Sequence, residues 1–397
     1  MSVILLAIIY IIFISLGLPD TLIGSSWPSI SASLSIDVST QGILTFTCSL
    51  CTIISSFLTI KIVKLISEKR TIILSIFLTV SGLIIIGFSQ SFVYLCLAMI
   101  VLGFGGGAID STLNNYVSLH YKALHLNWLH AFWGVGAFLS PVILSIFLTD
   151  IKGWRNGAFC LAIIQSCIFL ITLSSVKLWD FVQFNEKREV EAKTKNEIGF
   201  FKTFKIKNVI WAIIGFYSYI AIEQTIGLWA SSMASFSLEF SKNDAALWTS
   251  LYYGGIMGGR FLSGFISLKL DDKKLIRIGE TIIILGIILL GFSILEKYLM
   301  PVSLIIIGLG AAPIYPAIIH STPRRFSKEL SQNVMSVQVG CAYIANITAA
   351  PLFGIIASKT TFNILPLFVG IFSLLLIFSN EVVDKKVPNF HKNPVNL

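Results

Sequence analysis

Leu16-Gly17-Leu18-Pro19-Asp20-Thr21 sits inside an apolar run that extends from Met1 to Trp27. An ionised carboxylate at the centre of a bilayer costs at least ~3 kcal/mol, so an acid at that depth needs a partner or a task. Similar apolar runs recur about a dozen times along the 397 residues, and Asp110, Glu223 and Arg260 are set in three of them. Four ionisable groups in an otherwise apolar scaffold predict a polar path through a membrane-spanning chain.

Composition points the same way. The chain is 55% hydrophobic and 12% charged, with a mean hydropathy of +0.85, against roughly 25% charged residues in a soluble domain. The first run has no basic leading segment and no small-x-small cleavage site, so it reads as a retained span. Requiring roughly 20 apolar residues per helix gives twelve spans near 3–27, 40–60, 71–89, 92–118, 128–149, 156–176, 208–236, 244–268, 275–295, 301–320, 332–357 and 363–381. The fold class is an all-α membrane protein.

The net charge of +9 is distributed unevenly. With loops alternating sides, all but six of the 29 lysines and arginines fall on one side. Lys152, Arg155, Lys242, Lys297 and Lys359 lie on the other, and Arg260 is within a span. Basic loops stay in the cytoplasm, so both termini are expected there, with an even number of spans. The basic excess is thus topology, with weak attraction to anionic lipid, and no nucleic-acid partner is expected. All six cysteines lie within spans; Cys48 and Cys51 form a CxxC in a lipid-embedded helix with no second pair nearby, and read as small packing residues. Asn346-Ile347-Thr348 matches a glycosylation pattern but falls inside span 11.

The longest polar stretch, 177–207, divides six spans from six. It suggests a bundle over 1–178, a cytoplasmic linker over 179–207 and a second bundle over 208–397. The halves resemble each other. Thr45–Ile72 lies on Thr249–Ile276 without a gap, and at nearly the same offset Ile100–Gly105 meets Ile305–Gly310. Span 2 then pairs with span 8 and span 4 with span 10, as in a parallel repeat about an axis along the membrane normal. Gly103, Gly105, Gly106 and Gly107 in span 4, and Gly254, Gly255, Gly258 and Gly259 in span 8, let helices approach closely. No strand or Lys-Ser/Thr ending accompanies them, so a phosphate loop is not the reading.

Several segments resemble one family. Gly17-Leu18-Pro19-Asp20 with Trp27-Pro28, Gly105 to Asn114, Asn127 to Ala137, Thr249 to Arg260 and Pro313-Ile314-Tyr315-Pro316 are similar to the fucose–galactose–glucose:proton symporters of the major facilitator superfamily. The resemblance covers essentially the whole chain, and the order of the motifs is its specific part. It implies a major facilitator fold of two six-helix halves around a central cavity. It also implies that Asp20 and Asp110 serve proton coupling and sugar binding. Span 4 carries Asp110 where Glu is usual, span 5 carries His130 and Trp133 where amides are frequent, and Lys61 to Arg70 lacks the Gly-xxx-Asp-Arg loop signature. These departures bear on the substrate.

The candidate site follows residue by residue. Asp20, in the outer half of span 1 beside Pro19, can take a proton from outside and lose its charge, after which a loaded carrier can rock inward. Its alternative is a structural ion pair. Asp110 and Asn114 are four apart on one helical face, suited to sugar hydroxyls or to joining helices. His130 and Trp133 recur at three residues with Asn127, and Trp133 can stack on a sugar face; His130 could relay a proton. His120, His125 and His130 are spaced by five, off any single face, so no metal is expected. Glu223 and Gln224 are candidates in span 7, Glu223 as a second proton site, a ligand or the partner of Arg260. Arg260 is expected to gate. Tyr253, Tyr315, Gln338 and Asn346 complete the substrate-binding candidates. Glu280 is expected in the first turn of span 9, complementing the helix dipole.

The expected function is secondary active transport: proton-coupled symport of a sugar or related polar small molecule by alternating access. The alternative is a proton-coupled exporter working by antiport, faintly suggested by Gly134 to Pro141. No nucleotide-binding fingerprint occurs, so no cofactor is expected and a proton gradient supplies the energy. An enzyme is not expected: the glycines before Asp110 lack the Gly-x-Gly-Asp spacing of an intramembrane aspartyl protease, and neither HExxH nor a nucleophile elbow is present. A sensor would need a larger signalling domain than the polar linker. Abundant Ile, Lys and Ser without long tails suggests a bacterial plasma membrane, and a monomer is expected.

Overall fold

Lipid offers no partner to backbone N–H and C=O groups, so spanning segments satisfy them internally as helices. The computed structural model describes residues 2–121, 123–150, 152–183, 203–267, 269–326 and 328–386, and among these the regular structure is entirely helical. Span 1 is Ser2–Asp20 continued as Leu22–Leu34. Spans 2 to 6 are Gln41–Ile66, Glu68–Phe88, Phe92–His120, Ala123–Phe147 and Gly153–Ser174. Spans 7 to 9 are Val209–Ser232, Lys242–Ile266 and Asp272–Phe292. Span 10 is Leu299–Ala311 continued as Ile314–Phe326, and spans 11 and 12 are Lys328–Lys359 and Leu365–Lys386.

Among the described residues, 11 helices are long and apolar enough to cross a membrane. The twelfth, span 8, falls short because Lys242, Asp244, Arg260, glycines and hydroxyl side chains dilute its hydropathy. The helices also outrun the sequence-predicted spans, to Leu34 in span 1 and from Lys328 in span 11. Hydropathy marks the lipid core, while the hydrogen-bonded helix continues into the interface. Two spans are broken where prolines remove backbone donors: span 1 at Thr21, two residues after Pro19, and span 10 at Ala312-Pro313. The break puts Asp20 near the middle of span 1 rather than in its outer half. Most of the 179–207 linker lies outside the described residues. Its leading edge, the short helix Val176–Gln183, buries Trp179 against Tyr116 with ring centroids 5.1 Å apart.

The internal repeat is written into the packing. The face of Gly103 that would carry a side chain abuts the carbonyl of Cys48, and the matching face of Gly308 abuts the carbonyl of Tyr252. Gly105 meets the carbonyl of Ser75 as Gly310 meets that of Gly279, and Gly82 meets the Leu102 side chain as Gly286 meets that of Ile307. These are corresponding positions in the two registers that lay Thr45–Ile72 on Thr249–Ile276 and Ile100–Gly105 on Ile305–Gly310, one residue apart in offset. Spans 2, 3 and 4 therefore pack as spans 8, 9 and 10 do, through the same backbone-to-backbone approaches.

Glu280 differs from its expectation. Span 9 begins at Asp272, capped by Asp271, whose side chain accepts from the Lys274 amide at 2.8 Å. Glu280 is therefore in the third turn, buried, and accepts from Asn380 Nδ2 of span 12 at 2.7 Å. Below it, Asp272 contacts His320 (2.9 Å) and Arg324 (3.5 Å), and Arg325 contacts Asp384 at 3.0 Å, tying spans 9, 10 and 12 together. At the opposite end, Asp37 caps a short turn between spans 1 and 2. Bonds from the Ser39 hydroxyl and amide hold its carboxyl below the usual range.

The two halves meet closely at the end opposite the termini. Gly24 lies against the Gly227 carbonyl, Ser231 Oγ donates to the Ser25 carbonyl at 2.8 Å, and Gln41 Nε2 donates to the Leu228 carbonyl at 3.0 Å. Gly42 packs on Pro351 of span 11. Spans 5 and 8 run against each other across the halves, with Phe138 on Gly254, Met257 on Gly134 and Phe132 on Phe261. Toward the terminus-bearing end the seam of spans 5 and 8 continues, with Gly264 beside the Trp128 indole.

Candidate functional site

Between the halves lies a cavity of about 320 Å³. Asp20, Asp110, His130 and Trp133 of the first half line it, facing Glu223, Gln224, Tyr253, Arg260, Tyr315 and Asn346 of the second. Ten residues picked from sequence for ionisable, amide or aromatic chemistry, in seven different spans, thus converge on one space. The side chain of Asn127 lies outside the described residues.

Asp20 reaches the cavity because span 1 approaches span 5 at backbone distance. Gly17 abuts the Trp133 carbonyl and Gly136 abuts the Ile14 carbonyl, so neither helix can be displaced by a side chain at the crossing. This sets the indole beside the carboxylate, and Trp133 Nε1 donates to Asp20 Oδ2 at 2.8 Å. Asp20 itself is exposed to the cavity space. Ten residues into span 4 from Ile100, Asp110 projects into the same cavity. Asn114, one turn on, is not part of the wall; its Nδ2 donates to Asp110 Oδ1 at 2.8 Å and orients the acid from behind.

Arg260 is the cation of the site, and its partner is Glu223, with Nη2 to Oε1 at 3.4 Å and both side chains largely buried. Two further contacts tie Arg260 to the other half: Nη1 donates to the His130 carbonyl at 3.2 Å, and the guanidinium stands 5.3 Å from the Trp133 ring centroid. The Tyr252 hydroxyl donates to the Glu223 carbonyl at 3.2 Å. His130 thus lends its backbone to Arg260, while its ring stands 5.9 Å from that of Tyr315. Asn346 Oδ1 is buried and has no protein partner.

Gln338 is not brought to the cavity. It is buried within the second half, where its Oε1 accepts from Thr322 Oγ1 at 3.1 Å. It shares a helical face with Asn346 by spacing, but the 32-residue span 11 passes from the cavity to the packed interior over those two turns. The histidines do not gather: His120 Nδ1 contacts the Tyr116 carbonyl and His125 Nδ1 the Tyr10 hydroxyl. Among the described residues no cluster of His, Cys, Asp and Glu could hold a metal.

Sequence reasoning missed one wall. Thr45, Cys48, Ser49 and Thr52 of span 2 line the cavity. Their spacing of three, one and three is a single helical face, and that periodicity was the available signal. Thr52 Oγ1 donates to the Cys48 carbonyl at 3.0 Å, so part of this polarity is turned back on its own helix.

This arrangement can hold a small molecule between the two halves, and comparison with known proteins agrees with it. A sequence model described as Major Facilitator Superfamily matches residues 9–293 and 230–394. The chain is 23% identical over 350 residues to the glucose/mannose transporter GlcP of Bacillus subtilis, covering 84% of this chain and 82% of GlcP. It is 24% identical over 400 residues to the TsgA homolog of Buchnera aphidicola, covering 96% and 98%. Among solved structures, the nucleoside transporter NupG superposes with a TM-score of 0.74 at 14% identity, covering 96% of this chain and 98% of NupG. A D-xylose–proton symporter gives 0.73 at 12%, covering 98% of each chain. With one sequence model matched in two segments that together run nearly the length of the chain, and a twelve-helix fold closing two repeated halves around a polar cavity, this chain belongs to the Major Facilitator Superfamily.

Proposed function

We propose that this transporter carries a monosaccharide or related polyol together with protons, by alternating access. The observation that carries the reading is the Asp20 carboxylate, exposed on a cavity wall deep in the membrane and held by the Trp133 indole at 2.8 Å. A carboxylate at that depth is costly unless it serves a path for ions or substrate. Around it, Asp110, Gln224 and Asn346 offer hydrogen bonds to hydroxyls, and Trp133 and Tyr253 offer apolar ring surface for a sugar face. The volume of about 320 Å³ is at the small end of ligand pockets, roughly 300–1,000 Å³, which suits a single ring. The sugar named in the description of GlcP and the coupling named for the xylose symporter support the same class.

In this reading Asp20 and Asp110 exchange protons with the cavity, Glu223 is a third acid held by Arg260, and Arg260 gates. The energy comes from the proton gradient with no cofactor. The basic, terminus-bearing end faces the cytoplasm of a plasma membrane. The test is proton uptake by weakly buffered cells expressing the chain when each of a panel of hexoses, deoxyhexoses and polyols is added. Alkalinisation with one sugar, lost in Asp20→Asn, is the expected result. No alkalinisation with any sugar, or acidification on export of another compound, overturns it in favour of antiport or a different cargo.

A further inference from the structure

Four contacts form one path from the Asp20 carboxylate to the meeting of the halves. Asp20 Oδ2 accepts from Trp133 Nε1 at 2.8 Å, and Arg260 stands 5.3 Å from the same ring. Arg260 then bonds to the His130 carbonyl at 3.2 Å and to Glu223 at 3.4 Å. Asp20, Trp133 and His130 belong to the first half; Arg260 and Glu223 belong to the second. The indole therefore uses its edge to hold an acid of its own half and its face to hold a cation of the other.

We infer that Trp133 is the positioning residue through which the charge of Asp20 sets the contact between the two halves. This deepens the proton-coupled reading above and rests on it. A hydrogen bond to an ionised acceptor is about twice as strong as one between neutral groups. When Asp20 takes a proton, the indole loses that anchor, and with it the fixed seat for the guanidinium, an attraction that grows when both groups are shielded from water. The backbone has little room to absorb the change by sliding, because Gly17 and Gly136 hold spans 1 and 5 at backbone contact beside the indole. The movable parts are the indole ring and Arg260. Arg260 keeps Glu223, which lies in its own half, and releases the His130 carbonyl and the Trp133 ring, which do not. Protonation of a first-half acid thus loosens a second-half cation that it never touches. The other ionisable groups on the cavity wall with Asp20 are Cys48, Asp110, His130, Glu223, Tyr253, Arg260, Tyr315 and Tyr343, and Tyr253 stacks edge-on to Trp133 at 6.2 Å.

The test uses the full chain in lipid nanodiscs, with spin labels at Lys61→Cys and Lys269→Cys in a background whose native cysteines are replaced. These exposed positions lie in the last two turns of span 2 of the first half and just after span 8 of the second. The distance between labels is followed from alkaline to acid pH with no sugar present. The expected result is a pH-dependent shift that is lost in Asp20→Asn and equally lost in Trp133→Phe, which keeps a ring face but removes the N–H. Arg260→Lys, which keeps the charge without the planar group, is expected to lose it as well and carries the test if Trp133→Phe does not fold. A shift that persists in Trp133→Phe or in Arg260→Lys overturns the inference, and so does the absence of any shift in the parent chain. Because no sugar is involved, a normal shift in a chain that moves no sugar would sink the substrate reading alone.

Discussion

Gly24 and Gly227 touch across the two halves: a Cβ added at Gly24 would stand 2.8 Å from the Gly227 carbonyl oxygen. This contact, with Ser231 bonded to the Ser25 carbonyl and Gln41 to the Leu228 carbonyl, closes the cavity at the end opposite the termini. Overpacking a tight contact costs ~1–3 kcal/mol, and each ~1.4 kcal/mol shifts an equilibrium tenfold. Gly24→Val is expected to disfavour this closed end by roughly tenfold, slowing transport while raising the reactivity of cavity thiols from that side. Transport at the parental rate would show that the contact is not part of the cycle.

Glu223 is the carboxylate paired with Arg260, and both side chains are largely buried. Removing one partner of a buried pair costs ~3–5 kcal/mol because the other charge is left uncompensated. At a cavity wall, where water can enter, the lower end of that range is expected for Glu223→Gln, and Glu223→Gln combined with Arg260→Gln should recover much of it. Thermal unfolding of the four proteins in detergent measures the coupling, and strictly additive losses would mean the 3.4 Å contact carries no energy.

Cys48 is the cysteine that lines the cavity, whereas Cys51 and Cys341 are buried in helix packing. A small membrane-impermeant maleimide is therefore expected to modify Cys48 several-fold faster than Cys51 or Cys341, and a transported substrate should slow that reaction. Residue-resolved mass spectrometry checks both points. Equal labelling of Cys48 and Cys51 would contradict the orientation of span 2.

Gly103 and Gly308 occupy matching places in the two halves, each against a carbonyl of the neighbouring helix, Cys48 and Tyr252 respectively. Alanine at either position forces those helices apart, at ~1–3 kcal/mol for an overfilled contact. The two substitutions are expected to lower the unfolding temperature by similar amounts. Widely different losses would mean that the halves share a register without sharing its energetics.

The order and number of the spans are legible in the hydropathy of the chain, because lipid imposes one local solution on every long apolar run. The register of the repeat is legible too, although its meaning rests on pairs such as Gly105–Ser75 and Gly310–Gly279 that only packing reveals. Ionisable residues in apolar runs mark the charged part of the cavity wall, since their cost makes them conspicuous. Thr45, Cys48, Ser49 and Thr52 escape notice because small polar side chains in lipid also bond to their own helix, as Thr52 does. Gln338 and Asn346 have the same residue class and the same face, and what separates them is the path of span 11 past its neighbours. Glu280 shows the converse: a helix start read three residues late turns a buried bond to Asn380 into an apparent dipole effect.

The seam between spans 5 and 8 differs in kind from the contact of Gly24 with Gly227. It crosses the halves at successive heights, from Phe138 on Gly254 through Met257 on Gly134 to Phe132 on Phe261. In the alternating-access cycle proposed above, opening either mouth would lengthen a contact at one height and shorten another, and would leave a line near the middle almost still, like the pin of a seesaw. A Cβ at position 134 would stand 3.2 Å from that of Met257, near the ~3.5–4.5 Å separation of a disulfide. A staple made there by Gly134→Cys with Met257→Cys joins the two bodies at their fulcrum, and transport should survive it.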